Sequence, residues 1–196
     1  MVGIRQLPRR WQGLTLIELL VSIAVLGVLL TIAAPSFFGF VDRTRFTSGV
    51  DEIAAALHLV RSEGLRNNQL AVVHAKGGTS WCLGSRLTTT NETCDCSTTA
   101  VGSACGLKRL TSSDSGGINQ LTLRDQTGTT ANDLYYFFDA SRGVAATPSG
   151  VSSSTALVVT ARSSGGREAQ VRLTATGMVS VCATSGGGLS SVYPAC

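Results

Sequence analysis

Charged residues are scarce in this chain. Only 14% of its 196 residues are charged, whereas 43% are hydrophobic. A composition this apolar excludes an intrinsically disordered protein, and so few charges exclude a coiled-coil rod. The formal net charge of +4 owes much to Arg5, Arg9 and Arg10, because 13 basic residues face 12 acidic ones after residue 13. This near-neutral remainder gives no electrostatic reason to expect nucleic-acid binding.

The motifs of common enzyme classes are also missing. The chain contains neither a G-x-S-x-G nucleophile elbow nor a phosphate-binding P-loop. Its two histidines, His58 and His74, have no nucleophile or metal-ligand partner at local spacing. The sequence therefore predicts a non-enzymatic protein that has no cofactor and no metal site.

The chain does contain one long apolar run, from Leu14 to Ala34, in which Glu18 is the only charge. A helix of these residues would extend about 31 Å, which matches the hydrocarbon core of a bilayer. The three arginines that precede the run favour a cytoplasmic N-terminus. The sequence thus predicts one membrane span, with the remainder of the chain on the outer side of the membrane.

Two simpler interpretations of this run are a cleaved secretory signal and a plain signal anchor. Pro35 directly follows the small pair Ala33-Ala34, which makes that pair a poor cleavage site. Neither interpretation explains Glu18, since a carboxylate inside the membrane costs roughly 2.5–3.5 kcal/mol. A residue this costly needs a partner of opposite charge, and the run contains no Lys or Arg.

The residues around this glutamate resemble the type IV prepilin signature. They read Gly13-Leu14-Thr15-Leu16-Ile17-Glu18-Leu19-Leu20, although most relatives have Phe or Met in place of Leu14. The resemblance implies that a prepilin peptidase cuts after Gly13 and that Leu14 becomes the N-methylated first residue. It also implies that Glu18 meets the free amine of a neighbouring subunit and that Pro35 perturbs the end of the membrane helix.

Beyond the apolar run, hydrophobic residues recur at steps of four and three, which is typical of one face of an amphipathic helix. These residues are Phe46, Val50, Ile53, Leu57 and Val60. We expect this helix to end near Arg66-Asn67-Asn68 and to pack on a following sheet rather than to form a coiled-coil seam. Pro35 should bend or loosen the helix without ending it.

From Gly77 onward, short β-rich runs alternate with turn residues, a pattern typical of an antiparallel sheet or sandwich. The clearest two runs flank Thr176-Gly177, which predicts a hairpin there. The sequence thus predicts an α+β fold, with a long N-terminal helix packed on the sheets. The predicted strands are Gln69–Ala75, Trp81–Leu87, Ile118–Arg124, Leu134–Asp139, Thr155–Arg162, Ala169–Ala175 and Met178–Ala183.

Two further segments are similar to the GspH/FimT family of pilins and pseudopilins. Residues 59–68 resemble the segment that ends the long helix of this family, and residues 165–182 resemble its terminal hairpin. The resemblance implies a structural subunit of a type IV pilus or a type II secretion pseudopilus in the bacterial inner membrane. Its implied partners are other pilins or pseudopilins and the prepilin peptidase/methyltransferase. The expected divisions are a leader at 1–13, a membrane helix at 14–35, an amphipathic helix at 36–68 and a β-rich extracytoplasmic head at 69–196.

The six cysteines favour disulfides and an oxidising compartment. They are Cys82, Cys94, Cys96, Cys105, Cys182 and Cys196. Cys94 and Cys96 are too close in sequence to pair easily with each other, so each should join another cysteine, the nearest being Cys82 and Cys105. A bond between Cys182 and Cys196 would close a loop of about 15 residues, worth on the order of 3 kcal/mol. The alternative is a zinc site built from the first four cysteines, whose spacing departs from the usual zinc pairs.

A DNA-capturing pilin is the alternative function, because some FimT-like pilins bind DNA for natural transformation. Those proteins carry Gly-Arg-x-Arg after the hairpin turn, where this chain has Gly177-Met178-Val179-Ser180. Arg162, Arg167 and Arg172 lie nearby as candidates for weak DNA contact. Three arginines are too few for strong binding by counterion release, so nucleic acid is not the expected partner.

Overall fold

A computed structural model describes residues 15–148, 151, 153–186 and 188–196, without the side chains of residues 33–36. The chain divides into an N-terminal unit that ends at Phe40 and a head, Val41–Cys196. Helix α1 extends from Leu16 to Asn67 and contributes to both units. Eleven strands follow it among the described residues: β1 (Leu70–Lys76), β2 (Cys82–Thr88), β3 (Lys108–Thr111), β4 (Gln120–Arg124), β5 (Thr130–Ala131), β6 (Asp133–Asp139), β7 (Val144–Ala146), β8 (Ser153–Ser154), β9 (Leu157–Arg162), β10 (Glu168–Leu173) and β11 (Val179–Ala183).

The end of helix α1 agrees with the end predicted from the sequence. Asn68 has a φ of 49°, in the left-handed region that asparagine adopts more readily than most residues. The N–H of Gln69 donates to the carbonyl of Gly64 at 3.1 Å, and the N–H of Asn68 donates to the carbonyl of Leu65 at 3.4 Å. These two bonds form a Schellman motif, which satisfies the last helical carbonyls and directs the chain into β1.

The predicted apolar stripe of the helix faces the core of the head. Its residues are each at most 3% exposed: Phe46, Val50, Ile53, Leu57 and Val60. They share one apolar cluster with residues of both sheets, among them Val73 of β1 and Val171 of β10. The prediction that this helix packs on the following sheets is therefore confirmed.

Two sheets form the remainder of the head. The strands of the first sheet follow the order β3-β2-β1-β6-β7, and β8 pairs in parallel with β6. The strands of the second follow the order β11-β10-β9-β4-β5. Apart from β8, neighbouring strands are antiparallel. The predicted hairpin joins β10 to β11, with Leu173 opposite Val179, so the α+β class is confirmed.

The seven predicted strands correspond to β1, β2, β4, β6, β9, β10 and β11, with bounds that differ by at most two residues. The other four strands were missed: β3, β5, β7 and β8. These strands are only two to four residues long, so they are too short for an alternation of side chains to show.

The segment between β2 and β3, residues 89–107, folds over the outer face of the first sheet, and we call it the cover. Three of its cysteines form a second apolar cluster with Val72 of β1 and Phe137 of β6. Gly84 of β2 allows the close approach, because a Cβ there would lie 2.6 Å from the Cβ of Cys105 and 2.8 Å from that of Cys96. As a result, the central strand of the first sheet, β1, is buried on both faces.

Candidate functional site

The predicted processing residues, Gly13 and Leu14, lie outside the described residues. Cleavage after Gly13 and methylation of Leu14 therefore stay predictions. The first described residue, Thr15, precedes helix α1, and its hydroxyl oxygen accepts a hydrogen bond from the N–H of Glu18 at 3.3 Å. This contact is the N-terminal half of a capping box, which satisfies a free amide at the start of the helix.

The carboxylate of Glu18 lies in the first turn of helix α1 and is exposed. The positive end of the helix dipole favours a negative charge at this position. None of the ion pairs formed among the described residues involves Glu18. Its position therefore leaves the carboxylate accessible to a positive group from another chain.

The apolar side chains that follow Glu18 are exposed along the helix. Between Leu16 and Ile32 their exposed fraction ranges from 48% to 76%. Phe37, Phe38 and Phe40 are between 63% and 70% exposed. A continuous apolar surface of this length is typical of a segment that is covered by lipid or by other protein chains.

No single helix in the described part of the chain meets the criteria of length and hydropathy for a membrane span. The segments Leu16–Ile32 and Phe37–Asn67 meet these criteria together, as one bent pair and on length and composition alone. Helix α1 includes position 35, but the side chain of Pro35 is outside the description. The effect of this proline on the helix stays a prediction.

Two of the three candidate DNA-contact arginines lie on the outer face of the second sheet. The Nη2 of Arg162 donates to the Oε2 of Glu168 at 2.8 Å. The Nη2 of Arg172 donates to the Oε1 of Gln170 at 2.9 Å. The carboxylate of Glu168 thus balances the charge of Arg162, whereas Arg172 and the exposed Arg124 of β4 leave this face with two further positive charges.

The third candidate, Arg167, does not join this face. It lies in the connection between β9 and β10, and its guanidinium forms an ion pair with Asp42 of helix α1. Beyond the opposite end of β10, Met178 is 61% exposed. The structure therefore does not assemble the three arginines into one basic patch.

The six cysteines form three disulfides: Cys82–Cys96, Cys94–Cys105 and Cys182–Cys196. Their Cα atoms are 4.9–5.7 Å apart, within the usual range for disulfides. Cys94 and Cys96 each join another cysteine, in agreement with the expectation from their spacing. The zinc alternative is wrong, because every cysteine sulfur is used in a disulfide.

His74 has a role that its sequence neighbourhood does not indicate. It lies in the middle of β1, is only 3% exposed, and is directly beneath the cover. The backbone N–H of Cys96 donates to its Nδ1 at 3.1 Å, and its Nε2 lies 3.3 Å from the Oδ1 of Asp133. The ring also stacks on Tyr135, with 4.4 Å between ring centres. Since Nδ1 accepts a hydrogen bond, the proton of the neutral ring is on Nε2 and is donated to Asp133.

A metal ion does not fit this site. Among the described residues, His74, Asp95 and Cys96 form the one group whose ligand-type atoms lie close enough to hold a metal, within 4.8 Å of one another. The sulfur of Cys96 is bonded to Cys82, and Nδ1 of the histidine is already occupied by an N–H donor. Burial lowers the pKa of His74 despite the nearby carboxylates, which favours a neutral, structural ring. His58, by contrast, is exposed on helix α1.

No sequence signal identifies the contacts of His74, because they come from strand β6 and from a loop about twenty residues away in the chain. Strict alternation along β1 places this residue on the outer face of the sheet, where a histidine would ordinarily meet solvent. Only the folded cover makes it a buried residue. The burial therefore depends on the disulfide pairing, which the sequence leaves open.

Comparison with known proteins gives two family matches. Residues 10–34 match the prokaryotic N-terminal methylation motif, and residues 49–177 match the family of type II transport protein GspH. Among solved structures, the chain is similar to the crystal structure of the type IV minor pilin FimU of Pseudomonas aeruginosa, strain PAO1. The identity is 18% and the TM-score 0.47, with 76% of this chain and 98% of that chain covered. No curated protein sequence matches the chain.

Proposed function

The chain belongs to the family of type II transport protein GspH, and from this premise we propose that it is a minor pilin or pseudopilin. It acts as a non-enzymatic assembly subunit of a type IV pilus or a type II secretion pseudopilus. One observation carries the proposal: helix α1 buries one half in its own head and leaves the other half apolar and exposed.

The two halves of helix α1 differ in what is able to cover their apolar side chains. Ile53 is fully buried by the sheets of the head, whereas Ile23 is 55% exposed. Full burial of such a side chain gains about 1.5–3 kcal/mol. The exposed half therefore has a strong drive to enter a lipid bilayer or to pack against the helices of neighbouring subunits.

The proposed path to the fibre begins with removal of residues 1–13 by the prepilin peptidase. Leu14 then becomes the methylated N-terminus, and residues 14–35 hold the subunit in the inner membrane. The remainder, helix residues 36–68 and the head at 69–196, lies outside the cytoplasm. The methylation-motif match supports the processing step, and three disulfides are consistent with an oxidising compartment.

Within the fibre, Glu18 pairs with the N-terminal amine of a neighbouring subunit. A carboxylate in a membrane or a helical bundle is costly unless an opposite charge compensates it. The exposed carboxylate of Glu18 forms no ion pair with the described residues of its own chain. Cleavage after Gly13 supplies the missing positive charge, because it creates a free amine at Leu14.

The processing step is tested by mass spectrometry of the chain purified from membranes that contain an active prepilin peptidase. We expect a mature chain that begins at N-methylated Leu14. A substitution of Gly13 should leave the leader attached. Wild-type protein that keeps its first 13 residues in such membranes would contradict the proposal.

The assembly step is tested with Glu18→Ala and the matched control Glu63→Ala. Glu63 lies on the same helix, is half-buried, and pairs at 3.5 Å with the largely exposed Arg66, so the loss of this pair should matter little. Glu18→Ala should insert into the membrane at least as well as wild type, because the costly carboxylate is gone. It should be depleted from purified fibres, whereas Glu63→Ala should be incorporated normally. Equal incorporation of both variants would rule out the role proposed for Glu18.

A further inference from the structure

The strongest unassigned feature of the head is the buried histidine beneath the cover. Among the described side chains, only that of His74 forms a hydrogen bond between the middle of β1 and the backbone of the cover. The Nδ1 of His74 accepts this hydrogen bond from the backbone N–H of Cys96, and Cys96 is joined to β2 by its disulfide with Cys82. The ring therefore holds the cover at the point where the cover is closest to the first sheet.

We propose that His74 is a proton-operated lock, whose neutral ring holds the cover against the first sheet and whose doubly protonated ring releases it. A neutral imidazole has one acceptor nitrogen, and here the N–H of Cys96 uses it. A second proton turns that nitrogen into a donor, so two N–H groups then face each other at 3.1 Å. The hydrogen bond is lost and the contact becomes repulsive.

The charged groups that face the ring come from three elements. Asp133 on β6 lies 3.3 Å from Nε2, and Asp95 on the cover lies 3.7 Å from Nδ1. Lys76 on β1 opposes a positive ring, and Tyr135 on β6 stacks on it as a neutral phenol whose pKa is raised by burial. Burial outweighs the two carboxylates and lowers the pKa of His74. The second proton therefore binds only when the pH falls below the ordinary range of a histidine.

Two arginines hold the cover independently of the histidine. The Nε of Arg109 on β3 donates to the carbonyl of Cys96 at 2.6 Å, and Arg86 on β2 donates to the carbonyl of Gly102 at 2.9 Å. Together with the disulfides, they keep the released cover attached, so release is a local loosening and not an unfolding of the head.

The released state has its own stabilising contact. Asp95 lies on the cover, and a small shift would bring its carboxylate from 3.7 Å to within hydrogen-bond distance of the protonated Nδ1. Val72 and Phe137 lie beneath the part of the cover that contains Cys96, and both are fully buried while the cover is closed. Acid thus exchanges a closed cover for a loosened one in which an apolar patch of the first sheet becomes accessible.

The test is amide hydrogen exchange on the full chain in detergent micelles, at about pH 7.5 and about pH 5. After correction for the chemical exchange rate, we expect the Cys96 amide to exchange about fivefold faster in acid, the effect of losing one net hydrogen bond. The amides of β9 and β10 should keep the same protection at both pH values. A Cys96 amide with equal protection at both pH values would overturn the proposal.

Two variants separate the lock from a general effect of acid. In His74→Asn the side-chain oxygen takes the place of Nδ1 as acceptor but does not titrate, so the acid response should disappear. His58→Asn removes the exposed histidine and should keep the full response. A response in His74→Asn equal to that of wild type would overturn the proposal.

A measurement on the wild type covers the case in which His74→Asn does not fold. The ring resonances of His74 and the amide resonance of Cys96 are followed by NMR during a pH titration. The lock requires both to change with the same midpoint, and requires the neutral ring to carry its proton on Nε2. Different midpoints, or a neutral ring with its proton on Nδ1, would refute it.

Discussion

The two sheets of the head have the same alternation of side chains but different surroundings. All five central residues of β1 are buried, whereas every second residue of β10 is only half-buried. Both sheets present their inner face to the core that contains helix α1. The cover adds a second apolar cluster to the first sheet alone, while the outer face of the second sheet carries polar residues such as Gln170 and Arg172. Alternation along a strand thus determines the inner face, and a distant segment determines whether the outer face is buried.

The cover differs from the core in how it is held together. The core has large side chains from a helix and two sheets, including Phe46, Trp81 and Tyr136. The cover contributes mainly cysteines to its cluster, among them Cys94 and Cys105. A layer with so few apolar groups gains little from the hydrophobic effect, so disulfides supply the constraint, as they do in small secreted domains. The stability of the first sheet should therefore depend on disulfide bonds more than the stability of the second sheet does.

The largest expected effect comes from removal of the disulfide that joins the cover to the first sheet. Cys82→Ala/Cys96→Ala should lower the free energy of unfolding by about 3 kcal/mol from loop closure alone. Both cysteines are at most 3% exposed, so the cavity left in the cover cluster adds to this loss. The measurement is unfolding by urea under oxidising conditions.

The second sheet supplies a control with the same loop length. Cys182–Cys196 also spans 14 residues of sequence, so its removal has the same entropic effect. Cys196 is exposed, however, and Cys182→Ala/Cys196→Ala leaves a smaller cavity. The cover variant should therefore be the less stable of the two. Equal stabilities would mean that the cover contributes no packing of its own.

The sequence predicts the elements of the fold better than it predicts the cover. The helical stripe from Phe46 to Val60 and the hairpin around Gly177 follow from local periodicity and turn chemistry, and both are present. The cover contains no periodic run, because its residues are fixed by disulfides rather than by a helix or a strand. The contacts of His74 depend on that fold, so they are not predictable from β1. The prepilin signature, by contrast, is a local motif and is recognisable without any structure.

A smaller loss of stability is expected from Gly84→Ala in the first sheet. The new Cβ would lie 2.6 Å from the Cβ of Cys105 on the cover, so the cover or strand β2 must move apart. Such overpacking costs about 1–3 kcal/mol. Gly106→Ala is the control, because a Cβ there meets nothing within 4 Å. Thermal unfolding of both variants in micelles checks the difference, and a Gly84→Ala protein as stable as the control would show that the cover is not closely packed.

The pH dependence of stability should distinguish the two sheets more weakly. Burial lowers the pKa of His74 from its ordinary 6.5, so the unfolded chain binds the proton more readily than the folded one. Stability should therefore fall as the pH decreases through about 6.5, and level off once the folded histidine is also protonated. Hydrogen bonds from Ser97 lower the pKa of Asp95, and hydrogen bonds from Thr127 lower that of Asp125. The stability that these two carboxylates contribute is lost only when the pH falls below about 4.

His74→Asn should remove the upper part of this pH dependence and reduce the lower part only slightly, because the charge of His74 is a minor cause of the lowered pKa of Asp95. The measurement is the midpoint of urea unfolding at a series of pH values, with His58→Asn as the control. Both histidine variants should still lose stability below about pH 4, where carboxylates titrate. Identical curves for wild type and His74→Asn above that range would show that the cover does not depend on the charge of this histidine.

The smallest effect is expected on the outer face of the second sheet. Strong DNA binding by counterion release requires several positioned cations, and this face offers Arg172, the exposed Arg124 of β4, and Arg162, which Glu168 balances. Arg167 forms an ion pair with Asp42 instead.

The full chain in micelles should therefore bind duplex DNA weakly, with a dissociation constant no lower than about 10⁻⁴ M at physiological salt. Arg162→Ala/Arg172→Ala should leave that weak binding unchanged in a titration of labelled DNA. Micromolar binding that these substitutions abolish would make the open face of the second sheet a DNA-binding surface and would favour a role in DNA capture over a purely structural one.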